Sequence, residues 1–352
     1  MINQIIVIKV KPRIILMAID KYRPVHETSR ANHPLANRSN MYVLQSGPHK
    51  GKMMGANQVS YHDVEGTDQR YIACEAPFDA ADYYRMVLAT DARTLVSLTR
   101  VKDSVSHRAK YPVDLHHIQV GQKIAFDGTG LFGRKDPKQV KCIEEKLYQA
   151  SYADTNPLRV RTYEVNAPGK NPYKVKHIFY DHWTDHGKPG KTRDPMAIIA
   201  AINGAQAKFG SNAARHPVVV NCSFGQGRTN ALIMMHQMHS VMQRGLNELI
   251  PETATPEMKL MAMVILGEKL HEAPYKVNVA KFIEASEARV IPFEKIQPVL
   301  LHAFPKQCMD AEIGRFALAS GLNPLNPAAP ANGQHVAAHA AGMMYAKPKL
   351  ER

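Results

Sequence analysis

One segment, His216 to Gly245, constrains what this chain can fold into more than any other. It opens on the apolar run Val218 to Val220, which predicts a buried strand, and it closes on apolar residues at helical spacing, which predict a helix ending at Gly245. Between them lies CSFGQGRT, residues 222–229. A strand–loop–helix unit aims several backbone N–H groups and a helix N-terminus at one point, so this loop is predicted to bind an anion.

The two ends of the loop carry a nucleophile and a cation suited to phosphate. The planar fork of Arg228 matches two oxygens of one phosphate, and Cys222 should ionise readily because Arg228 and the amide dipoles favour a thiolate. A thiolate under a bound phosphate is positioned to attack phosphorus. An inert buried thiol is the commoner fate of a lone cysteine, but the flanking strand and helix favour catalysis. The residues predicted to contact the phosphate between the two ends are Ser223, Phe224, Gly225, Gln226 and Gly227.

VVVNCSFGQGRTN resembles the signature loop of the cysteine-dependent protein tyrosine phosphatases, written His-Cys-(five residues)-Arg-Ser/Thr-Gly. It keeps the cysteine, the arginine, both glycines and Thr229, and it departs at Asn221, where the family has His, and at Asn230, where the family usually has Gly. Upstream, YIACEAP, DYYRMV and RTLVSLTRV are similar to a strand–helix–strand segment of the family. The resemblance implies that Thr229 hydrogen-bonds the departing thiolate. In the family the His before the cysteine helps to keep the thiolate ionised through the hydrogen bonds under the loop, so Asn221, which carries no charge, is expected to support a weaker enzyme; the alternative is that Asn221 only fills space.

HWTDHGKP, residues 182–189, resembles the mobile acid loop of the same family, Trp-Pro-Asp-x-Gly-x-Pro. The resemblance implies that Asp185 protonates the leaving-group oxygen and that Trp183, the single tryptophan of the chain, supports this loop. Thr184 stands where the family has Pro, which removes a restraint on φ. The alternative for Asp185 is an ordinary exposed turn.

The resemblance implies hydrolysis of phosphotyrosine in a phosphorylated protein, through a cysteinyl-phosphate intermediate. No metal or other cofactor is expected, because the loop itself supplies the positive field. Tyrosine-specific members line their cleft with the aromatic ring of an Asn-Arg-Tyr turn. The corresponding ANRSN, residues 36–40, places Ser39 at that position, with Tyr42 as a nearby substitute.

Two alternatives remain open at this point. The first is a dual-specificity or phosphoinositide phosphatase, although loops that bind charged lipid heads tend to carry Lys between Cys and Arg, and this loop has none. The second is a catalytically impaired phosphate-binding module. Asn221, Thr184 and the lack of a recognisable water-positioning Gln favour this second alternative, whereas the presence of Cys222, Arg228 and Asp185 favours turnover.

The composition is that of a globular protein, with 45% hydrophobic residues and a net charge of +14. The basic residues are dispersed, which favours an acidic phosphorylated substrate over nucleic acid. No membrane insertion is expected, because no run of about 18 apolar residues occurs. Four scattered cysteines suit a reducing compartment, so the cytoplasm is predicted, meaning the host cytoplasm if the source is a pathogen or virus. The oligomeric state does not follow from the sequence.

The predicted fold class is α/β, a twisted mixed sheet flanked by helices on both sides, with the Cys-x5-Arg loop between a strand and a helix. Residues 1–24 are predicted to form an N-terminal extension, residues 25–315 the catalytic domain, and residues 316–352 an Ala/Pro-rich disordered tail. His236 and His239, about one helical turn apart, are predicted to lie on a solvated helix face rather than to bind a metal.

Overall fold

The structure is a computed structural model that describes residues 41–62, 68–76, 79–99, 119–126, 138–152, 155–184, 187–223, 225–272, 298–323 and 326–330. Several predicted features lie outside these residues. They are the N-terminal extension 1–24, the turn 36–40, Asp185, Phe224 and the last part of the predicted tail, 331–352.

A nine-stranded mixed sheet organises the described residues, and its order is β1-β2-β3-β9-β4-β8-β7-β6-β5. Strands β3, β9, β4 and β8 run parallel, and the strands outside them pair antiparallel. The strand bounds are β1 Met41–Val43, β2 Met53–His62, β3 Asp68–Glu75, β4 Thr94–Ser97, β5 Lys123–Phe126, β6 Lys138–Tyr148, β7 Leu158–Asn166, β8 Tyr173–Phe179 and β9 Val218–Cys222. The predicted strand after His216 is therefore confirmed, at the centre of the sheet.

The position of β9 follows from its continuous apolar run. A parallel strand in the middle of a sheet is covered on both faces and needs apolar side chains on each. Val218 and Val220 join one core cluster, and Val219 joins the cluster on the opposite face. All three are at most 1% exposed.

Helices cover both faces of the sheet, which confirms the predicted fold class. Their bounds are α1 Ala80–Ala89, α2 Asp194–Gln206, α3 Gly227–Leu249, α4 Pro256–Glu272 and α5 Pro298–Ser320, and a 3-10 segment, Ala207–Arg215, follows α2. Apolar side chains of α1 belong to the cluster that contains Val219. Those of α2 and α3 belong to the cluster on the other face.

The prediction that α3 ends at Gly245 is wrong, because the helix continues to Leu249. A glycine inside a helix costs only about 1 kcal/mol relative to alanine. Leu246, which follows it, is buried in a cluster with Met263 of α4 and Met309 of α5. Burial of that side chain in the helical conformation outweighs the glycine.

The predicted start of a disordered tail at residue 316 is also wrong. Helix α5 continues to Ser320, and strands β10 Leu322–Asn323 and β11 Asn326–Pro330 form a small antiparallel pair after it. Ala317 and Leu322 are buried against Leu260 of α4. Alanine is the strongest helix former, which favours the helix at Ala317 and Ala319, whereas Ala328 and Ala329 lie in β11.

The prediction of a solvated face at His236 and His239 is wrong as well, since the two side chains are 3% and 7% exposed. His236 lies between the Tyr71 hydroxyl and the Asn203 amide, at 2.8 Å from each. Burial, with a smaller contribution from His239, lowers the pKa of His236 to about 3. His239 contacts the Glu312 carboxylate of α5 at 3.4 Å, so this side of α3 is covered by protein.

No helix among the described residues is both long and apolar enough to cross a membrane.

The chain that leaves β9 passes directly against the end of β3. Ala76 N–H donates to the Ser223 carbonyl at 3.2 Å, and Gly225 has a φ of +65°. A Cβ at position 225 would lie 2.3 Å from the carbonyl carbon and oxygen of Cys74. Only glycine combines this backbone conformation with so close an approach.

We therefore expect Gly225→Ala to lower the free energy of unfolding by at least about 2 kcal/mol, because left-handed strain and a backbone overlap add together. Gly245→Ala is the matched control. A Cβ there meets nothing within 4 Å, so this variant should be neutral or up to about 1 kcal/mol more stable. Urea unfolding of both variants is the measurement, and equal stabilities would contradict the close approach at Gly225.

Candidate active site

Cys222 is the last residue of β9, at the carboxyl end of the parallel strands, and its side chain is 3% exposed. It pairs with Glu75 of β3 in the sheet register. Helix α3 begins at Gly227, and Asn230 N–H donates to the Gln226 carbonyl at 2.9 Å, which closes the first helical turn against the loop. The nucleophile candidate and a helix N-terminus are thus joined by a short, tightly curled loop, as predicted.

The Arg228 side chain turns back into this loop and is only 1% exposed. One of its terminal nitrogens donates to the backbone carbonyls of Leu98 and Trp183, each at 3.0 Å, and the other donates to the Ser223 hydroxyl at 2.8 Å. These bonds fix the plane of the guanidinium. They also connect the loop to the chain after β4 and to the segment at Trp183.

The remaining loop residues predicted to matter are placed as follows. Ser223 and Gly225 are buried, Gln226 and Gly227 are half-buried, and Phe224 lies outside the described residues. The Thr229 hydroxyl is fully buried and has no hydrogen-bonding partner within the described part of the chain. A buried hydroxyl without a protein partner is uncommon in native structures, and Thr229 lies in the first turn of α3, near the end of β9.

The segment predicted to be the acid loop lies beside Arg228. Trp183 is fully buried, its indole N–H donates to the Gly187 carbonyl at 3.1 Å, and Gly187 N–H donates to the Thr184 carbonyl at 3.1 Å. These two bonds enclose residues 185–186, which include Asp185 and lie outside the described residues. The exposed Thr184 and the half-buried Gly187, which flank these two positions, are therefore joined to each other by a backbone hydrogen bond.

Both stems of this segment are tied to one buried carboxylate, that of Asp194. This carboxylate accepts from Asn156 N–H at 2.6 Å, from the Asn156 side-chain amide at 2.8 Å and from Lys191 N–H at 2.8 Å. The Tyr180 hydroxyl also donates to it, and that hydroxyl accepts from Gly190 N–H at 3.0 Å. Burial, together with the hydrogen bond to Asp194, raises the pKa of Tyr180, so the hydroxyl keeps its proton.

A buried polar chain lies beneath the loop. Ser97 donates to the side-chain oxygen of Asn221 at 2.8 Å, and its hydroxyl lies 2.8 Å from Nε2 of His177. Because the single Ser97 proton is used toward Asn221, His177 Nε2 must be the donor in the second bond. The Asn221 amide reaches the Thr99 hydroxyl at 3.5 Å, a long and weak hydrogen bond. The fully buried Asn221 side chain therefore lies between Ser97 and Thr99 in this network.

The prediction that Tyr42 supplies the aromatic ring of the cleft in place of Ser39 is wrong. Tyr42 is 5% exposed and belongs to the apolar core cluster that contains the side chains of α1. Burial raises the pKa of its hydroxyl to about 12. A ring buried in that cluster does not line an open cleft, and Ser39 lies outside the described residues.

Sequence reasoning missed the partners that come from other elements, namely Ser97, His177, Tyr180 and Asp194. Ser97 could have been found from the segment TLVSLT, because a serine inside an apolar strand must find a hydrogen-bonding partner. For the others the sequence offers residue types only, and their distance along the chain from the loop gives no indication of contact.

The comparisons with known proteins agree with this geometry. A family model described as protein-tyrosine phosphatase matches residues 25–259. Tyrosine phosphatase H3 of Microplitis demolitor bracovirus is 25% identical over 188 residues, which are 52% of this chain and 53% of that protein. A probable tyrosine phosphatase protein, H4, of the same virus is 26% identical over 49% of this chain and 85% of its own length. Tyrosine-protein phosphatase 1 of Caenorhabditis elegans is 29% identical over 55% of this chain and 17% of its own length.

Among solved structures, PTPN18 in complex with HER2-pY1248 phosphor-peptides matches with a TM-score of 0.52 and 16% identity, covering 82% of this chain and 85% of that one. This likeness concerns the fold. The chain spans about half the length of the H3 relative, whereas the family model covers well over half of the 352 residues. The chain belongs to the protein-tyrosine phosphatase family.

Proposed function

We propose that this protein hydrolyses phosphotyrosine monoesters in phosphorylated proteins through a cysteinyl-phosphate intermediate. The observation that carries the proposal is the convergence of Cys222, Arg228 and the N-terminus of α3 on one curled loop at the carboxyl end of β9. Preorganised donors of this kind stabilise charge that develops in a transition state. The uncharged residues between Cys222 and Arg228 favour phosphotyrosine over a highly charged lipid head.

In the first displacement, the Cys222 thiolate attacks phosphorus, so an S–P bond forms while the bond from phosphorus to the tyrosyl oxygen breaks. Arg228 and the loop amides bind the equatorial oxygens. Asp185 transfers its proton to the departing phenolate, which leaves as neutral tyrosine.

In the second displacement, water attacks the phosphorus of the cysteinyl phosphate and Asp185, now a carboxylate, accepts its proton. The S–P bond breaks and inorganic phosphate leaves. The Thr229 hydroxyl, buried and without a partner among the described residues, donates to the thiolate that is released. The four cysteines are free thiols, in keeping with the cytoplasmic location that we propose.

The first test replaces the nucleophile. Cys222→Ser should lower the rate of aryl phosphate hydrolysis by roughly 10⁴-fold or more, the scale of nucleophile loss in other hydrolases, while phosphate binding persists because Arg228 remains. Cys308→Ser is the control, since burial raises the pKa of the Cys308 thiol and keeps it unreactive. Substantial hydrolysis by Cys222→Ser, or an equal loss in the control, would remove Cys222 from the mechanism.

The second test concerns the acid. Asp185→Ala should slow hydrolysis of a phosphotyrosine peptide by about 10²–10⁴-fold, and less for a nitrophenyl phosphate, whose leaving group needs little protonation. Asp181→Ala is the matched control on the same segment, where the Asp181 carboxylate contacts Arg159 at 3.2 Å. The assignment of Asp185 fails if both substrates lose rate equally, or if Asp181→Ala shows the same selectivity for the poorer leaving group.

The third test concerns the residue beneath the nucleophile. A histidine at position 221 could carry a positive charge, which an asparagine cannot, so Asn221→His should shift the pH dependence of iodoacetamide alkylation to lower pH. Ser97→Ala removes the donor to the Asn221 oxygen and should shift the profile in the opposite direction. Superimposable profiles for all three proteins would leave position 221 with a packing role only.

A further inference from the structure

A groove of about 570 Å³ opens on the face of the sheet that α2 and α3 only partly cover. It lies between strands β6, β7 and β8 and the 3-10 segment that follows α2. Five basic side chains and one carboxylate are among the residues that line it: Arg93, Lys146, Lys174, Lys176, Lys208 and Glu144. We call it the basic groove.

The strand register explains why these charges share one face. Lys174 and Lys176 are two residues apart in β8, so both side chains point to the same face of the sheet. Thr162 of β7 stands opposite Lys176, and Glu144 of β6 stands opposite Thr162. The Lys176 ammonium donates to the Thr162 hydroxyl at 2.6 Å, which holds it within the groove.

The carboxylates nearby, Glu144, Asp91 and Glu164, which stands opposite Lys174 in the sheet, balance the five basic groups only in part. Glu144 forms an ion pair with Lys146 and lies 3.7 Å from the Lys176 ammonium. Asp91 accepts from Arg93 at 2.6 Å, but it is about half exposed. Burial, with the neighbouring Lys208 and Lys146, lowers the pKa of Lys176 in spite of Glu144. Like charges are therefore close enough to repel one another within the groove.

Arg93 adds a second, independent observation. Its guanidinium lies 3.6 Å over the Tyr173 ring, a contact that fixes the plane of its donors. It adds a positive charge of fixed orientation to the lining of the groove.

We propose that the basic groove binds a small ligand that carries several phosphate groups. The volume lies within the range of small-molecule sites, and charge-assisted bonds from Lys and Arg are strongest with phosphate or carboxylate. The half-buried Phe209 ring adds an apolar wall. A spatially compact anion satisfies several ammonium groups at once, which the crowding at Lys176 favours.

This site is separate from the loop at Cys222. Lys176 pairs with Thr94 in the sheet, and Thr94 pairs with Val218, the first residue of β9. Cys222 is the last residue of the same strand, about 13 Å farther along at the rise of a parallel strand. The two anion sites therefore lie toward opposite ends of the parallel strands, and binding at one does not depend on the proposed chemistry at the other.

Isothermal titration with inorganic tripolyphosphate at low ionic strength tests the proposal. Binding should weaken about tenfold or more in Lys176→Gln/Lys208→Gln, because two charge-assisted contacts are lost. Lys50→Gln/Lys52→Gln is the matched control, since it removes two charges at the β1–β2 edge of the sheet, and should bind within twofold of the wild type. Arg228→Lys should retain the groove binding.

Several results would overturn the proposal. They are no binding by the wild type, equal weakening in the two lysine pairs, or loss only in Arg228→Lys, which would place the binding at the loop instead. A Glu-rich peptide of equal formal charge that binds as tightly as tripolyphosphate would also overturn it, in favour of an acidic protein segment. Lys208→Gln alone, at an exposed position of the 3-10 segment, should still weaken binding about threefold, which covers the case in which the double variant does not fold.

Discussion

The buried guanidinium of Arg228 is the contact on which the site depends. A charge taken out of water must be matched by hydrogen bonds, or it costs several kcal/mol. Here the backbone carbonyls of Leu98 and Trp183 and the Ser223 hydroxyl supply those bonds. Because the three acceptors come from the chain after β4, the Trp183 segment and the loop after β9, none of these segments can shift without leaving part of the charge unsatisfied. One side chain thus couples the nucleophile candidate to the segment that carries the proposed acid.

The loop also rests on polar groups inside an otherwise apolar sheet. Ser97 connects Asn221 to His177 through hydrogen bonds of 2.8 Å each. Ser97 and Asn221 lie on the neighbouring parallel strands β4 and β9. Hydrogen bonds within a buried polar network of this kind rigidify its surroundings. The departure of position 221 from the family pattern is therefore accompanied by a local network in which an amide is well accommodated.

The sequence was sufficient to predict the parts of the fold that depend on neighbouring residues. The valine run of β9, the loop from Cys222 to Arg228 and the start of α3 are encoded within one short segment, and local patterning identifies them. What depends on contacts between distant segments was not predictable. Gly245 predicts a helix end because glycine is a common stop signal, but the burial of Leu246 against two other helices extends the helix.

The same limit explains the remaining differences. Alanine-rich composition at the start of the predicted tail is compatible with both disorder and helix, and packing of Ala317 against α4 selects the helix. His236 occupies a position that could face water in an isolated helix, yet Tyr71 of β3 covers it. The partners of Asp194 lie up to 38 residues away along the chain, and no spacing rule connects them.

The carboxylate of Asp194 has a consequence for how the Trp183 segment can vary. Tyr180 and Lys191 are both bonded to it, so the chain between them begins and ends at nearly one point. Lengthening such a closed loop by a residue or two costs little free energy, because closure entropy grows only slowly with length. It would, however, displace the residues between Trp183 and Gly187 relative to Cys222. For the acid that we propose, Asp185, such a displacement matters more than the small change in stability, so a variant with an insertion here should fold normally and yet transfer its proton to the leaving group more slowly.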